Sequence, residues 1–241
     1  MMRSILVPAA LCSTLAPAIH AQDDAEPPVP FPHPIITEVM FDVPRGAAGD
    51  ANQDGKRDAA GDEFVELYNP HDEPIDLRGY TLTNWLTTDN PSEKRGVRFR
   101  FPRFELAPGE SVVVFNGYQA RIPGPVGSAR RAAPRPNEHF NASHVFRTGN
   151  TSSNNAFNNS EDFVLLTGPE GEKLDAVVWG KAEFLQIESA LRIADASGSS
   201  ASSVQRPAVD ATELWPHEDI DANTSSPGQQ PWAVDPDHAG N

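Results

Sequence analysis

Apolar and polar residues alternate in short runs along most of the chain, and turn-forming residues separate the runs. Alternation with a period of two is typical of β-strands that bury one face. The clearest run is Phe64–Tyr68, and Asn69-Pro70-His71-Asp72 ends it, because proline supplies no ladder donor and Asn and Asp favour turns. The same pattern predicts further strands at 35–41, 75–82, 97–106, 111–115, 161–167 and 173–179, and a short one at Val204.

Two turns in this pattern predict hairpins. Ala107-Pro108-Gly109-Glu110 has Pro and Gly where a type II turn needs them, between the strands at 97–106 and 111–115. Gly168-Pro169-Glu170-Gly171 joins the strands at 161–167 and 173–179 in the same way. Many short strands with regular turns predict an all-β sandwich.

Three segments lack a clear pattern. Residues 117–159 are rich in Pro, Gly, Arg and Asn, and we predict a long irregular insertion loop there. Residues 184–193 fit a short helix or a strand equally well. The polar sequence after Val204 is expected to be irregular, with a flexible tail at 231–241.

Several segments resemble the lamin tail domain, in the form found in secreted bacterial proteins. They are FVELYN from Phe64, DLRGYTL from Asp76, FRFPRFELAPGESVVVF from Phe99, NNSEDFVLLTGPEGEKLDAVVWG from Asn158, SSVQRP from Ser202 and SSPGQQ from Ser225. The resemblance implies an immunoglobulin-like β-sandwich over residues 34–230. It implies no single chemistry: such domains often sit beside nucleases or phosphoesterases, and in nuclear lamins they contact proteins and DNA.

The N-terminus has the features of a secretory signal peptide. Arg3 precedes an apolar run from Ile5 to Ala18, and small residues lead to a predicted cleavage after Ala21. Residues 22–33 are acidic and rich in proline, so we expect an extended lead-in. Cys12 is the one cysteine in the chain, so the mature protein would have no disulfide and no thiolate ligand.

The acidic loop, residues Asp50–Asp62, resembles the first half of a calcium-binding EF-hand loop. Oxygen ligands at alternating positions converge on one ion, a glycine after the third allows the sharp bend, and a backbone carbonyl joins at the seventh position. The twelfth position is Gly61 instead of a bidentate glutamate, so the loop would close through Asp62. The predicted calcium ligands are Asp50, Asn52, Asp54, Lys56 (through its carbonyl), Asp58 and Asp62. An ordinary Asp-rich surface loop is the alternative.

The formal net charge is −15, but basic residues cluster between Lys94 and Arg147. Ten basic and three acidic residues give this stretch a charge of +7. The overall negative charge disfavours general nucleic-acid binding. The basic cluster could bind an anionic partner, or its arginines could simply be solvated. The candidate binding residues are Arg121, Arg130, Arg131 and Arg135.

No catalytic motif is present, and no serine lies in a recognisable nucleophile context. Glu63 and Glu66 would face opposite sides of a strand, and we expect one of them to be exposed. We therefore expect a secreted, non-enzymatic and monomeric module that binds an extracellular protein or an anionic surface polymer, with calcium as a candidate stabilising ion. The alternatives are a calcium-dependent nuclease or phosphoesterase, and a protein that binds anions or polysaccharides.

Overall fold

A computed structural model describes residues 33–84, 97–151, 153, 155–180, 190–196 and 202–233. Strands dominate the described residues: β1 Ile35–Met40, β2 Phe64–Tyr68, β3 Ile75–Asp76, β4 Thr81–Thr83, β5 Arg98–Arg100, β6 Glu105–Leu106, β7 Ser111–Phe115, β8 His144–Arg147, β9 Asp162–Thr167, β10 Lys173–Trp179, β11 Arg192–Ala196, β12 Val204–Gln205 and β13 Glu213–Pro216. The helical turns are short: one α-helix, α1, at Glu218–Asp221, and 3-10 turns at Ala47–Gly49, Glu138–Phe140 and Pro231–Ala233.

Eleven of these strands form one mixed sheet, in the order β5-β4-β9-β10-β11-β13-β12-β1-β2-β7-β8. Strand β13 joins the two halves, because it pairs in parallel with β11 and antiparallel with β12. The remaining strands, β3 and β6, pair with each other. The sheet is curled so that its two halves face one another: β1 and β10, which are not neighbours in the sheet, are in contact.

The space between the two halves holds the main hydrophobic core. Ile36, Val65 and Val114 enter it from one half, and Leu166 and Val177 from the other. Phe41 and Trp179 stack across the gap, with their ring centroids 4.3 Å apart. Close-packed aromatic pairs of this kind add to the stability that burial alone provides.

A phenylalanine on the edge strand β8 draws the far ends of the curled sheet together. The ring of Phe146 packs edge-on against Phe99, Phe101 and Phe104, at centroid distances of 5.5–5.6 Å. The first of these rings belongs to β5, the opposite edge strand. The inner face is therefore closed at both ends.

The outer face of β1, β2, β7 and β8 is also covered, in part by a second apolar cluster. Phe64, Val113 and Phe115 on the strands pack with Phe140, and Ile122 and Val126 lie against them. Strand β2 is consequently buried on both faces, although its sequence alternates.

The prediction of an all-β fold is confirmed, and most strands lie where the alternating pattern predicts them. The prediction of an irregular loop through 117–159 is wrong at His144–Arg147, which pairs in parallel with β7. Val145 and Phe146 are both buried there, so this strand lacks the alternation that would reveal it. The tail after Val204 was also expected to be irregular, but it contains β13 and α1.

One of the two predicted hairpins forms. Strands β9 and β10 pair antiparallel as expected. The turn at Ala107–Glu110 does reverse the chain, with the Glu110 N–H donating to the Ala107 carbonyl. Its flanking strands do not pair, however: β6 pairs with β3, whereas β7 pairs with β2. Of residues 184–193, those up to 189 lie outside the described residues.

Two leucines provide a matched test of the core. Leu166 is fully buried between the sheet halves, whereas the side chain of Leu191 is 59% exposed. We expect Leu166→Ala to lower the free energy of unfolding by about 2–5 kcal/mol, because it removes buried contacts and leaves a cavity. Leu191→Ala should change it by less than about 0.5 kcal/mol. Urea denaturation of both variants measures the difference; equal effects would contradict the assignment of the core.

Candidate functional site

The acidic loop forms a series of tight turns in which its own carboxylates accept backbone hydrogen bonds. The two carboxylate oxygens of Asp50 accept from the N–H groups of Asp54 and Gly55, at 3.1 and 3.0 Å. Asn52 Oδ1 also accepts from Asp54 N–H at 3.0 Å. Gly55 has a φ of +86°, which the loop needs and which a glycine adopts without strain. The acidic loop is therefore ordered by its own hydrogen bonds.

Asp62 holds the two ends of this loop together. Its carboxylate accepts from Asn52 N–H at 3.0 Å and from Asp58 N–H at 2.6 Å, and its side chain is buried. Burial raises the pKa of Asp62 to about 7, the two N–H donors offset part of the rise, and repulsion from Asp50 and Asp54 adds to it. Negative charge thus accumulates at the centre of the loop.

The predicted calcium ligands lie in one loop, but their side chains do not all converge. Within the described residues, no group of three or more His, Cys, Asp or Glu side chains is arranged to hold a metal ion. Both oxygens of Asp62 are occupied by the loop's own N–H groups. The repulsion among Asp50, Asp54 and Asp62 is nevertheless a feature that a bound cation would relieve. Calcium binding therefore stays a prediction.

The acidic loop is hydrogen-bonded to the basic segment, Arg121–Arg147. The N–H of Arg121 donates to Asp54 Oδ2 at 3.0 Å, and Gln53 Nε2 donates to the carbonyl of His139 at 2.9 Å. A change in the position of the Asp54 side chain would be transmitted directly to Arg121. The sequence gives no sign of this contact, because 67 residues separate Asp54 from Arg121.

Two arginines of the basic segment line one cavity of about 390 Å³. Arg121 and Arg147, which ends β8, both line it, and Ile122 and Val126 contribute apolar surface. Arg147 Nη1 donates to the carbonyl of Ala120 at 3.3 Å, which holds that guanidinium beside the cavity. Arg147 belongs to the basic cluster of the sequence but is not among the four predicted binding residues, because no sequence pattern indicates that β8 brings it to the same cavity as Arg121.

The other candidate arginines lie on the surface, in the segment between the lining residues Val126 and Arg147. Arg130, Arg131 and Arg135 are all exposed, and none of them lines the cavity. The backbone that carries them is ordered by a small bridge between Ser128 and Arg131. Asn137 Nδ2 further donates to the carbonyls of Pro123 and Pro125. The structure thus divides the four predicted residues into one that lines the cavity and three that do not.

The expectation that Glu63 or Glu66 is exposed is wrong: both are fully buried. Glu63 accepts from Asn116 Nδ2 at 2.8 Å and from the N–H groups of Ala156 and Phe157 at 2.6 and 3.1 Å. Burial raises the pKa of Glu63 to about 8, and these hydrogen bonds offset part of the rise. The alternating sequence suggested that one of the two glutamates is exposed, because the segments that cover them are distant in the sequence.

Glu66 lies beside Glu38 on the neighbouring strand, and the C-terminal clasp, Ser225–Gln230, covers the pair. Gly228 N–H and Gln230 Nε2 donate to Glu66, and Ser226 N–H donates to Glu38. Burial raises the pKa of Glu66 to about 7 and that of Glu38 well above its usual range. The clasp therefore supplies hydrogen-bond donors that two buried carboxyl groups require.

The clasp also contains an arrangement that the sequence analysis missed, in which Ser226 contacts His217. Ser226 Oγ lies 2.6 Å from His217 Nε2, and His217 Nδ1 lies 2.9 Å from Asp221 Oδ1. A hydrolase would need a free nucleophile and an oxyanion site beside it. Here the Ser226 hydroxyl also accepts from Gln205 Nε2, and the backbone N–H of Ser226 donates to Glu38. The geometry therefore favours a structural role, in which these residues fix the clasp.

Fold and site together define an all-β, immunoglobulin-like module whose outer loops carry its polar and charged features. The family model for the Lamin Tail Domain matches residues 30–181. The chain therefore belongs to the lamin tail domain family, as the resemblance indicated. No curated protein matches the chain. None of the helices in the described residues has the length and apolar character that a membrane crossing requires.

The first test of the site is a calcium titration followed by thermal unfolding. If the acidic loop binds calcium with a Kd of about 0.1–1 mM, calcium at ten times the Kd adds about 1.4 kcal/mol of stability. For a domain of this size the Tm should rise by about 3–6 °C. Asp54→Ala should abolish the rise, while the exposed Asp72→Ala should retain it. An unchanged wild-type Tm at these concentrations would contradict calcium binding.

The second test is the pH dependence of stability. Glu63, Glu66 and Asp62 have pKa values raised to between about 7 and 8, so the folded state binds more protons than the unfolded state in this range. Stability should therefore fall as the pH rises from about 6.5 to 8.5. Burial lowers the pKa values of three histidines below 6.5, so their titration affects stability mainly below this pH range. These are His33, His144 and His217.

Calorimetry across this range should show a Tm that drops by several degrees, since one unit of pKa shift corresponds to about 1.4 kcal/mol. Glu63→Gln should lower the Tm at pH 6.5, because it places an amide N–H against the N–H donors that contact Glu63. It should also make the Tm less dependent on pH, because glutamine does not titrate. A Tm that rises with pH, or a slope that Glu63→Gln leaves unchanged, would contradict this assignment.

Proposed function

We propose that this chain is a secreted, non-enzymatic binding module that takes an anionic extracellular partner on its basic segment. The observation that carries the proposal is the cavity between Arg121 and Arg147. Arginine presents a rigid fork of donors that matches a carboxylate or sulfate group in two-point contact. Apolar surface from Ile122 and Val126 beside the guanidinium groups would accept the carbon skeleton that bears such a group.

The charge distribution supports the same partner. The chain as a whole is negative, so a polyanion is repelled by most of the surface and attracted only at the basic segment. Arg130, Arg131 and Arg135 are exposed and add attraction over a wider area without lining the cavity. We assign the cavity pair to direct contact and the exposed three to electrostatic steering.

The sequence features outside the described residues support a location outside the cytoplasm. Residues 1–21 have the pattern of a secretory signal peptide, and they lie outside the described residues, as does most of the lead-in at 22–33. The partner would therefore be an extracellular protein or surface polymer that carries acidic groups. Calcium in the acidic loop would stabilise this surface through the hydrogen bond from Arg121 to Asp54.

The test compares small and polymeric anions. We expect wild-type protein to bind trigalacturonate, and to be retained on polygalacturonate and polyaspartate columns until salt elutes it. Replacing both cavity arginines, Arg121→Gln with Arg147→Gln, should weaken trigalacturonate binding about tenfold, or 1.4 kcal/mol. Replacing Arg130, Arg131 and Arg135 by Gln should mainly lower the eluting salt concentration.

Arg78→Gln is the matched control, because Arg78 is exposed and forms only a surface ion pair with Asp76. It should leave both measurements unchanged. Wild-type affinity in the double variant would contradict the cavity assignment, and failure of the wild type to be retained on either column would contradict the function.

The non-enzymatic part of the proposal has its own test. The sequence leaves open a calcium-dependent nuclease or phosphoesterase, which would need the acidic loop as its metal site. Purified protein with millimolar calcium should leave a model phosphodiester intact. Cleavage that Asp54→Ala abolishes would overturn the non-enzymatic assignment in favour of the hydrolase.

A further inference from the structure

We infer that the clasp groove, a cavity of about 460 Å³ on the outer face, binds a neutral saccharide. Three segments meet at this groove: the β6–β7 turn, the residues just before β8, and the C-terminal clasp. The side chains that line it are those of Glu110, Ser111, Asn141, Ser143, Gln229 and Gln230. Its volume is that of a small-ligand site.

The chemistry of the groove matches the hydroxyl groups of a sugar ring. Two amides, Asn141 and Gln229, are exposed and have no hydrogen-bond partner among the described residues. An amide can donate and accept at once, as a sugar hydroxyl also does. Glu110 adds an acceptor. Ala107 N–H and His144 both contact its Oε2, which leaves the other carboxylate oxygen, Oε1, for a ligand. This carboxylate would repel an acidic sugar, so the groove selects a neutral one.

A buried amide in the groove wall has an unused acceptor. Gln230 is only 3% exposed, and its Nε2 donates to Glu66 Oε1 and Ser111 Oγ. The carboxyl group of Glu66 fixes the orientation of the amide, which leaves Gln230 Oε1 without a partner among the described residues. A buried acceptor without a partner destabilises the protein. Because this oxygen is buried, a ligand hydroxyl would reach it only if a neighbouring side chain of the groove moved aside.

The backbone beside the groove is strained where it would meet the ligand. Asn141 and Ala142 have φ values of 50° and 58°. Asn tolerates the left-handed region after a helical turn, but alanine there costs about 1–2 kcal/mol. Strain of this kind concentrates at binding sites, where the surrounding structure holds it in place.

The test uses cellotriose and maltotriose, two neutral glucose trimers that differ in linkage, with trigalacturonate as the anionic comparison. Ligand-observed NMR and tryptophan fluorescence on the full protein should show saturable binding of at least one neutral trimer, with a Kd of about 0.1–5 mM. Gln229→Ala, at an exposed side chain, should weaken that binding about fivefold or more.

Asn141→Gly separates binding from folding. Glycine adopts the left-handed conformation freely, so the Tm should stay the same or rise, while the loss of the amide should weaken binding about fivefold or more. The Arg121→Gln, Arg147→Gln double variant should bind the neutral trimer normally, which distinguishes this groove from the basic segment. The inference would be overturned if neither trimer showed saturable binding at concentrations up to about 20 mM. It would also be overturned if the double variant Asn141→Gly, Gln229→Ala bound the trimer with wild-type affinity.

Discussion

Three buried carboxyl groups, on β2 and directly before it, organise the loops of this molecule. Asp62, Glu63 and Glu66 each accept hydrogen bonds from backbone N–H groups of a different segment: the acidic loop, the Ala156-Phe157 loop and the clasp. A buried carboxyl group without donors is costly, and so is a buried N–H without an acceptor. Each loop and its carboxyl group therefore need one another. These segments have little regular structure, yet their positions are defined.

This arrangement separates stability from recognition. The inner core of aromatic and aliphatic side chains closes the curled sheet, and residues outside the strands, such as Phe101, Phe104 and Phe157, contribute to it. The outer face carries the acidic loop, the basic segment and the clasp groove, whose backbones are held by hydrogen bonds rather than by packing alone. Substitutions in exposed loop side chains can change what is bound while the inner core is unaffected. A family with this fold can therefore bind different partners, since a fold does not determine function.

The sequence was sufficient to predict the strands that alternate. Phe64–Tyr68, Ser111–Phe115 and Lys173–Trp179 have the same bounds in the structure, because their alternation or apolar runs are bounded by turn residues. The sequence also predicted calcium ligands that converge in the acidic loop, and the described side chains do not form such a group. The burial of Glu66 could not be predicted, because its donors at Gly228 and Gln230 are more than 160 residues away. Strand β8 escaped detection for a related reason: consecutive buried residues on a doubly covered strand have no period.

The C-terminal strands complete the sheet and precede the segment that forms one wall of the clasp groove. The family match ends at residue 181, whereas β12 and β13 lie beyond it and link the two halves of the sheet. The clasp follows after α1, so one wall of the groove lies outside residues 30–181 and the other two, at the β6–β7 turn and before β8, lie inside them. A partner that contacted all three walls would therefore depend on residues on both sides of that boundary. The cavity between Arg121 and Arg147, in contrast, lies wholly within the matched residues, so recognition there depends only on the side chains that this chain places on the common fold.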